Sequence, residues 1–139
     1  PFGRFSVVYH DAPAFLFIAG GVGITPVMSM LRYLRDTEDV RPVTLLYGND
    51  TEADIIFREE LAALPEHMRV EHVLNRPRED WQGETGYITR ELIQRYASEQ
   101  LDQAHVYVCG PPAMMDKILD ALRELGVPDG HVHCERFAL

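Results

Sequence analysis

The fold is decided by the sequence FLFIAGGVGITP, which runs from Phe15 to Pro26. Its first five residues are apolar and uncharged, a pattern typical of a strand that is buried on both faces. The glycines that follow allow a sharp turn, and Thr25 and Pro26 suit the N-cap and the first position of a helix. Because a strand, a glycine turn and a helix start present free N–H groups, the stretch predicts a phosphate-binding turn. The candidate binding residues are Gly20, Gly21, Gly23, Thr25 and Pro26.

This stretch alone leaves a second interpretation open. Gly21 and Gly23 match only the first half of the Rossmann fingerprint, and Pro26 stands where its third glycine is expected. A plain connection between a strand and a helix is therefore the alternative to a phosphate site.

The composition limits the class of protein. The chain has 139 residues, 46% of them hydrophobic and 25% charged, which is typical of one soluble globular domain. Its net charge of −9 argues against nucleic-acid binding. It contains no apolar run long enough to span a membrane and no secretory signal, and its two cysteines are too few for a disulfide framework. We therefore expect a cytoplasmic protein.

Strands and helices alternate along the rest of the chain. This alternation predicts a three-layer, doubly wound α/β fold with a five-stranded parallel sheet and helices on both faces. With right-handed crossovers the expected strand order is 3-2-1-4-5, which places a ligand between strands one and four. The domain is expected to occupy residues 14–139, after a connecting segment at 1–13 that begins without methionine and suggests a longer polypeptide. The expected strands are 15–19, 43–47, 69–74, 104–109 and 131–137, and a helix is expected from Thr51 to about Leu64.

A second turn is predicted to meet the glycine turn. Cys109 ends the fourth strand and is followed by Gly110, Pro111 and Pro112, which allow close backbone approach and start a helix rigidly. Cys109 is either a small core residue or a group packed against a ligand at the switch point, the place between strands one and four where the strand order reverses. No histidine or lysine stands near it in sequence, so a nucleophilic role is not expected.

Acidic residues follow the second strand. Asp50 lies about where a Rossmann acid accepts hydrogen bonds from a ribose, and an acid there repels a 2′-phosphate. NADH is therefore expected rather than NADPH. NADPH stays the alternative because Arg58 follows one turn later. Thr51 and Asp54 have the spacing of a capping box, so Asp54 has both a structural and a ligand-binding interpretation.

Other polar residues give weaker signals. The histidines have no metal-ligand spacing, and His131 and His133 are expected at the surface. Trp81, the only tryptophan, is expected to anchor a long polar loop.

The complete pattern resembles the pyridine-nucleotide-binding domain of the ferredoxin–NADP reductase superfamily, in its NADH-using branches of cytochrome b5, nitrate and oxygenase reductases. The resemblance covers the whole chain. It rests on IAGGVGITP at 18–26, YGNDTEADI at 47–55, CGPPAM at 109–114 and Glu135-x-Phe137, with a loop at 80–87 similar to that of oxygenase reductases.

The resemblance implies roles for individual residues. Thr25 lies near the reacting nicotinamide, Cys109 beside it, and Asp54 favours NADH. Glu135 influences transfer at the flavin, and Phe137 covers the flavin ring. The implied cofactor-binding set is Gly20, Gly21, Gly23, Thr25, Pro26, Asn49, Asp50, Asp54, Cys109, Gly110, Pro111, Pro112 and Met114; the implied catalytic set is Thr25, Cys109, Glu135 and Phe137.

The implied function is delivery of hydride from NADH to an FAD in another domain of the same polypeptide. That flavin then passes single electrons to a ferredoxin, a haem protein or an oxygenase. The flavin-binding barrel is missing from this sequence, so the chain is expected to bind nucleotide without turnover by itself. A non-catalytic nucleotide-binding or interaction module is the alternative, and a self-sufficient dehydrogenase ranks last because no substrate domain or proton-transfer set is evident.

Overall fold

The computed structural model describes residues 6–9 and 11–136, which form one six-stranded sheet with helices on both faces. All five strand pairings are parallel and the strand order is β4-β3-β2-β1-β5-β6. The predicted order of the five main strands is confirmed, with the two-residue β4 added at the β3 edge. The strands are β1 (Phe15–Gly20), β2 (Val43–Asn49), β3 (Met68–Leu74), β4 (Glu84–Thr85), β5 (His105–Gly110) and β6 (Val132–Arg136).

Four helices cover the two faces of the sheet. They are α1 (Ile24–Asp36), α2 (Arg58–Ala62), α3 (Arg90–Ala97) and α4 (Pro112–Glu124). Alternate residues of β1 enter different cores: Phe15 and Phe17 pack with α1 and α2, whereas Leu16 and Ile18 pack with α3 and α4. Every residue of β1 is buried, as expected for a central strand of a parallel sheet.

The start of α1 differs from the prediction. A 3₁₀ turn at Gly21–Gly23 runs directly into α1, with Gly23 as the N-cap and no side-chain capping bond. The predicted N-cap at Thr25 is therefore wrong, because Thr25 already lies in the first helical turn. Pro26 lies in the same turn, where a backbone N–H has no intrahelical partner and proline is tolerated.

The predicted helix from Thr51 to Leu64 is broken in two. A 3₁₀ turn at Glu52–Asp54 is followed by extended backbone, and α2 begins only at Arg58. Phe57 has a φ of 60°, in the left-handed region that interrupts a right-handed helix. The break lets Ile55, Ile56 and Phe57 pack against the α1–α2 core. The helix prediction is wrong because three successive residues pack against the core in non-helical backbone. Local spacing does not show such packing.

Two other helix boundaries agree with the sequence. Thr89 caps α3 by accepting a hydrogen bond from the backbone N–H of Leu92 at 3.2 Å. After α4, Gly126 adopts a φ of 83°, the left-handed conformation that commonly ends a helix. No helix in the described part of the chain is both long enough and apolar enough to cross a membrane.

The prediction that His131 and His133 are surface residues is wrong. Both are partly buried, and their rings stack on His105 with centroids 4.8 and 5.0 Å away. The contact forms because β6 pairs with β5 and lays the two segments side by side, a tertiary relationship that histidine spacing alone does not show. Trp81, by contrast, anchors its loop as expected, since its indole N–H donates to the carbonyl oxygen of Glu84 at 2.9 Å.

Candidate functional site

The site begins where β1 and β5 end side by side. Ala19 is in register with Cys109, so the glycine turn and the Cys109–Pro112 turn lie next to each other at the carboxyl edge of the sheet. A Cβ atom on Gly23 would overlap the carbonyl of Cys109, and one on Gly20 would overlap the sulfur of Met114. Close packing against backbone therefore requires glycine at position 23, whereas at position 20 the flexible end of the Met114 side chain would have to move. The two turns meet as predicted.

A buried tyrosine fixes the glycine turn. The hydroxyl of Tyr47 on β2 donates to the carbonyl oxygen of Gly21 at 2.9 Å and accepts from the backbone N–H of Ile56 at 3.3 Å. Burial raises the pKa of this hydroxyl, so it keeps its proton and remains a donor. Gly21 has a φ of 53°, a backbone conformation in which a residue with a side chain would be strained. The sequence predicts a strand at Tyr47, but this bond depends on a tertiary contact that local spacing does not show.

A cleft of about 720 Å³ opens at this edge of the sheet. Its size lies within the range usual for small-molecule and cofactor sites. The cleft crosses from the β1 turn past the end of β2 to the start of α4, and much of its wall is apolar. Of the predicted cofactor-binding residues, those that line it are Gly20, Gly21, Asn49, Asp50, Asp54, Pro111 and Met114.

The remaining predicted residues lie around the contact between the two turns. Thr25 is exposed on the first turn of α1, and Pro26 beside it is partly buried. Pro112 is exposed at the start of α4. Gly23, Cys109 and Gly110 are buried where the turns touch.

The two acids after β2 have different surroundings. The carboxylate of Asp54 accepts hydrogen bonds from the backbone N–H and the hydroxyl of Thr51, at 3.1 and 3.0 Å, which completes the predicted capping box. The carboxylate of Asp50 accepts from Arg76 at 3.2 Å and from the amide of Asn75 at 3.4 Å. Both acids line the cleft, so the structural role of Asp54 still leaves its charge at the cleft wall.

Asn49 provides a polar group at the wall of the cleft. Its side-chain nitrogen is buried and has no partner at good hydrogen-bond geometry among the described residues, although the amide interacts with the hydroxyl of Tyr47 and partly offsets the rise in the pKa of that hydroxyl. A buried unpaired donor is costly unless a ligand or water satisfies it. The amide of Asn49 therefore marks a place in the cleft where a polar ligand group fits.

Cys109 is suited to packing rather than to nucleophilic chemistry. Its side chain is fully buried, and burial, with the nearby Glu135 carboxylate and Cys134, raises the pKa of its thiol to about 12. Glu135 lies opposite Cys109 on β6, at the same end of the sheet. The predicted catalytic residue Phe137 lies outside the described residues.

Several cleft residues were not singled out by the sequence. α4 contributes Ala113, Lys117 and Ile118, and the segment after β4 contributes Tyr87 and Ile88. The helical spacing of Lys117 from Ala113 and Met114 is visible in the sequence, but only the tertiary fold shows which face of α4 meets the cleft. Tyr87 is 71% exposed and follows Gly86, whose φ of 97° turns the chain at the rim.

A doubly wound sheet with two close-packed turns beside a cleft at its switch point defines a nucleotide-binding α/β domain. Residues 17–120 match the family model described as "Oxidoreductase NAD-binding domain", and the chain belongs to that family. The resemblance to the nucleotide-binding domain of ferredoxin reductases is thereby confirmed.

Individual relatives agree with this assignment. NADH-cytochrome b5 reductase 1 of Debaryomyces hansenii is 36% identical over 131 residues, which are 91% of this chain and 46% of that protein. The cytochrome b5 reductase domain of Ulva prolifera nitrate reductase superposes with a TM-score of 0.83 at 28% identity, covering 91% of this chain and 51% of the other. The FAD/NAD-binding domain of nitric oxide dioxygenase from Vibrio cholerae superposes with a TM-score of 0.80 at 26% identity, covering 92% and 52%. The chain spans less than half the length of the curated relatives it matches.

Proposed function

We propose that this chain binds NADH in the cleft and holds the nicotinamide for hydride transfer to an FAD carried by another domain of the same polypeptide. Single electrons then pass from that flavin to a ferredoxin, a haem protein or an oxygenase. The observation that carries the proposal is the contact between Gly23 and the Cys109 carbonyl, which joins two ligand-facing turns at the switch point. The NADH-cytochrome b5 reductase and the FAD/NAD-binding domain among the relatives support the choice of cofactors.

The cleft has features that fit a dinucleotide. Its turn places Gly20 and Gly21 in the cleft wall, and the 3₁₀ turn at Gly21–Gly23 runs directly into the thirteen-residue α1, so the positive end of this continuous helical segment lies at the turn. The buried side-chain nitrogen of Asn49, which has no well-aligned partner among the described residues, offers a donor, while Ile56 and Ile118 supply apolar wall. In our proposal the turn holds the pyrophosphate and the Asn49–Asp54 segment holds the adenosine ribose.

The residues at the turn contact are proposed to orient the nicotinamide. Cys109 keeps its proton at neutral pH because its thiol pKa is raised to about 12, so it acts by packing. Thr25, exposed at the start of α1, faces solvent where a ligand or a second domain can approach. Glu135, beside Cys109, places a carboxylate at the edge of the sheet where the flavin domain is proposed to dock.

When bound, reduced nicotinamide supplies a hydride and oxidised flavin accepts it. Amino-acid side chains are not hydride acceptors, so this chain is proposed to bind and orient without completing a reaction cycle. We also propose a cytoplasmic location, supported by two cysteines that are both free thiols.

NADH is proposed to bind better than NADPH because Asp50 and Asp54 both line the cleft. The substitution Asp54→Asn removes one negative charge from the cleft. We expect the ratio of NADPH affinity to NADH affinity to rise roughly fivefold, since one screened charge contact is worth about 1 kcal/mol. Thr51→Ala is the matched control, because it breaks the same capping box and keeps the acid. If wild type prefers NADPH, the proposed cofactor choice is wrong.

The function is tested with ferricyanide as electron acceptor. The flavin-free chain should bind NADH but fail to reduce ferricyanide. A chimera in which this chain replaces the matching part of the Debaryomyces hansenii reductase should bind FAD and regain NADH-dependent reduction. Rapid turnover by the flavin-free chain, or a folded, FAD-loaded chimera whose flavin NADH cannot reduce, would overturn the proposal.

A further inference from the structure

Lys117 has a distinctive position in this protein. It is the only lysine of the chain, and its side chain lines the cleft from α4. The chain carries 22 acidic residues against 13 lysines and arginines, so a cation has many potential carboxylate partners.

The arginine side chains form ion pairs with these carboxylates. Every arginine whose side chain the structure describes has a carboxylate oxygen within 4.0 Å; these residues are Arg32, Arg35, Arg41, Arg58, Arg69, Arg76, Arg78, Arg90, Arg95 and Arg123. Lys117 makes no such pair with a described residue. Among the lysine and arginine side chains that the structure describes, the one without a carboxylate partner therefore lies at the cleft.

The carboxylates that share the cleft are already engaged. Asp54 accepts two hydrogen bonds from Thr51, and Asp50 is paired with Arg76. Both acids lie at the β2 end of the cleft, whereas Lys117 lies on α4. The ammonium group is thus available to an anion that enters the cleft.

The fold places Lys117 close to the glycine turn. Met114 packs where a Cβ on Gly20 would stand, which brings the first turn of α4 against the end of β1. Lys117 follows Met114 by three residues, so the two side chains lie on the same face of α4, one turn apart. A lysine side chain has four methylene groups, so from its exposed position on α4 the ammonium of Lys117 can extend into the cleft.

We propose that Lys117 binds the pyrophosphate of the dinucleotide, opposite the N–H groups of the glycine turn. This inference rests on the proposed function and adds to it a specific cationic contact. A pyrophosphate is favoured over a 2′-phosphate because Lys117 is one helical turn from the contact with Gly20, while the acids Asp50 and Asp54 occupy the other end. Lysine binds phosphate as a point charge with three donors, which suits a flexible approach from an exposed helix.

Calorimetric titration of the chain with NADH, NADPH and ADP-ribose tests this proposal. We expect Lys117→Met to weaken all three by roughly tenfold, as for the loss of one charge-assisted contact, and Lys117→Arg to keep most of the affinity. Arg123→Met is the matched control, because it removes one positive charge from the same helix but outside the cleft. Thermal unfolding of the Lys117 variants should stay near wild type, since Lys117 has no described ion pair to lose. Arg123→Met should also change it little, because the pairs of Arg123 with Asp120 and Asp129 are exposed.

The outcomes separate this inference from the proposed function. If wild type binds none of the three ligands, the proposed function and the role of Lys117 both fail. If wild type binds and Lys117→Met binds equally well, only the role of Lys117 fails. A loss confined to NADPH would contradict the pyrophosphate contact and assign Lys117 to the 2′-phosphate, and an equal loss in Arg123→Met would show a general effect of charge.

Discussion

The hydroxyl of Tyr47 donates a 2.9 Å hydrogen bond to the carbonyl oxygen of Gly21, linking the buried end of β2 to the glycine turn after β1. The hydroxyl oxygen of Tyr47 also accepts a hydrogen bond from the backbone N–H of Ile56 at 3.3 Å. One side chain thus fastens the proposed pyrophosphate turn to the segment that leads into α2. This bond explains how a turn with a left-handed glycine keeps one conformation.

Replacing Tyr47→Phe removes both bonds and keeps the ring. We expect the free energy of unfolding, measured in urea, to fall by about 2 kcal/mol, because the partners of the hydroxyl lose their hydrogen bonds. NADH affinity should also fall, since the glycine turn is no longer fixed. Tyr107→Phe is the control: its hydroxyl donates to the carbonyl oxygen of Ser6 at 3.3 Å, and the residue does not line the cleft. Wild-type NADH affinity in Tyr47→Phe would show that the bond does not position the turn.

Gly23→Ala tests the contact between the two turns. Its new Cβ overlaps the Cys109 carbonyl, so backbone must move, and we expect a loss of stability of about 1–3 kcal/mol together with weaker NADH binding. Gly130→Ala is the matched control, because no atom lies within 4 Å of its Cβ position. If Gly23→Ala and Gly130→Ala have the same stability and the same NADH affinity, the contact between the two turns is not needed for binding.

The two cysteines should differ in reactivity. Cys109 is fully buried with a thiol pKa of about 12, whereas Cys134 is exposed. Iodoacetamide at pH 8 should therefore label one thiol per folded chain, and Cys134→Ser should abolish labelling. Guanidinium-unfolded protein, the control, should show both thiols. Rapid labelling of Cys109 in folded protein would contradict the packing role proposed for it.

Glu60 gives the stability a defined pH dependence. Hydrogen bonds from Arg32 at 2.9 and 2.7 Å and from Arg35 at 3.1 Å lower the pKa of this carboxyl from 4.5 to about 2. Because the folded pKa is depressed, its contribution is present above pH 4.5 and is lost as the pH falls towards 2. The gap in melting temperature between wild type and Glu60→Gln should therefore narrow over that interval.

Glu66→Gln is the control for this measurement. Glu66 makes no ion pair with a residue of the described segments, so its replacement should shift the melting temperature little at any pH. If the gap between wild type and Glu60→Gln has the same size at pH 6 and pH 2, the ion-pair explanation is wrong.

The arrangement of the sheet could be predicted from the sequence because its signals are local and agree with one another. Uncharged runs such as 15–19 indicate buried strands, and right-handed crossovers then leave few strand orders. That order places the Cys109 turn beside the glycine turn. The meeting of the two turns, which defines the candidate site, could therefore be predicted from local patterns alone.

What the sequence could not show depends on tertiary contacts. The left-handed Phe57 breaks a helix that its spacing favours, because apolar residues on both sides find places in the core. The stacking of His131 and His133 on His105 needs the pairing of β5 with β6. That Lys117 is the sole lysine is visible by counting, but only the contact of α4 with the β1 turn places it at the cleft.

The central claim, that NADH binds where the two turns meet, is tested most directly by following backbone amide resonances of ¹⁵N-labelled chain during titration with NADH. Saturable shifts should concentrate at Gly20–Gly23, Asn49, Asp50, Gly110 and Met114, each of which lies at the turn contact or lines the cleft. The amides of Thr44 and His67, which lie in a smaller cavity elsewhere, should not move. Absence of saturable shifts, or shifts centred on Thr44 and His67, would contradict the account.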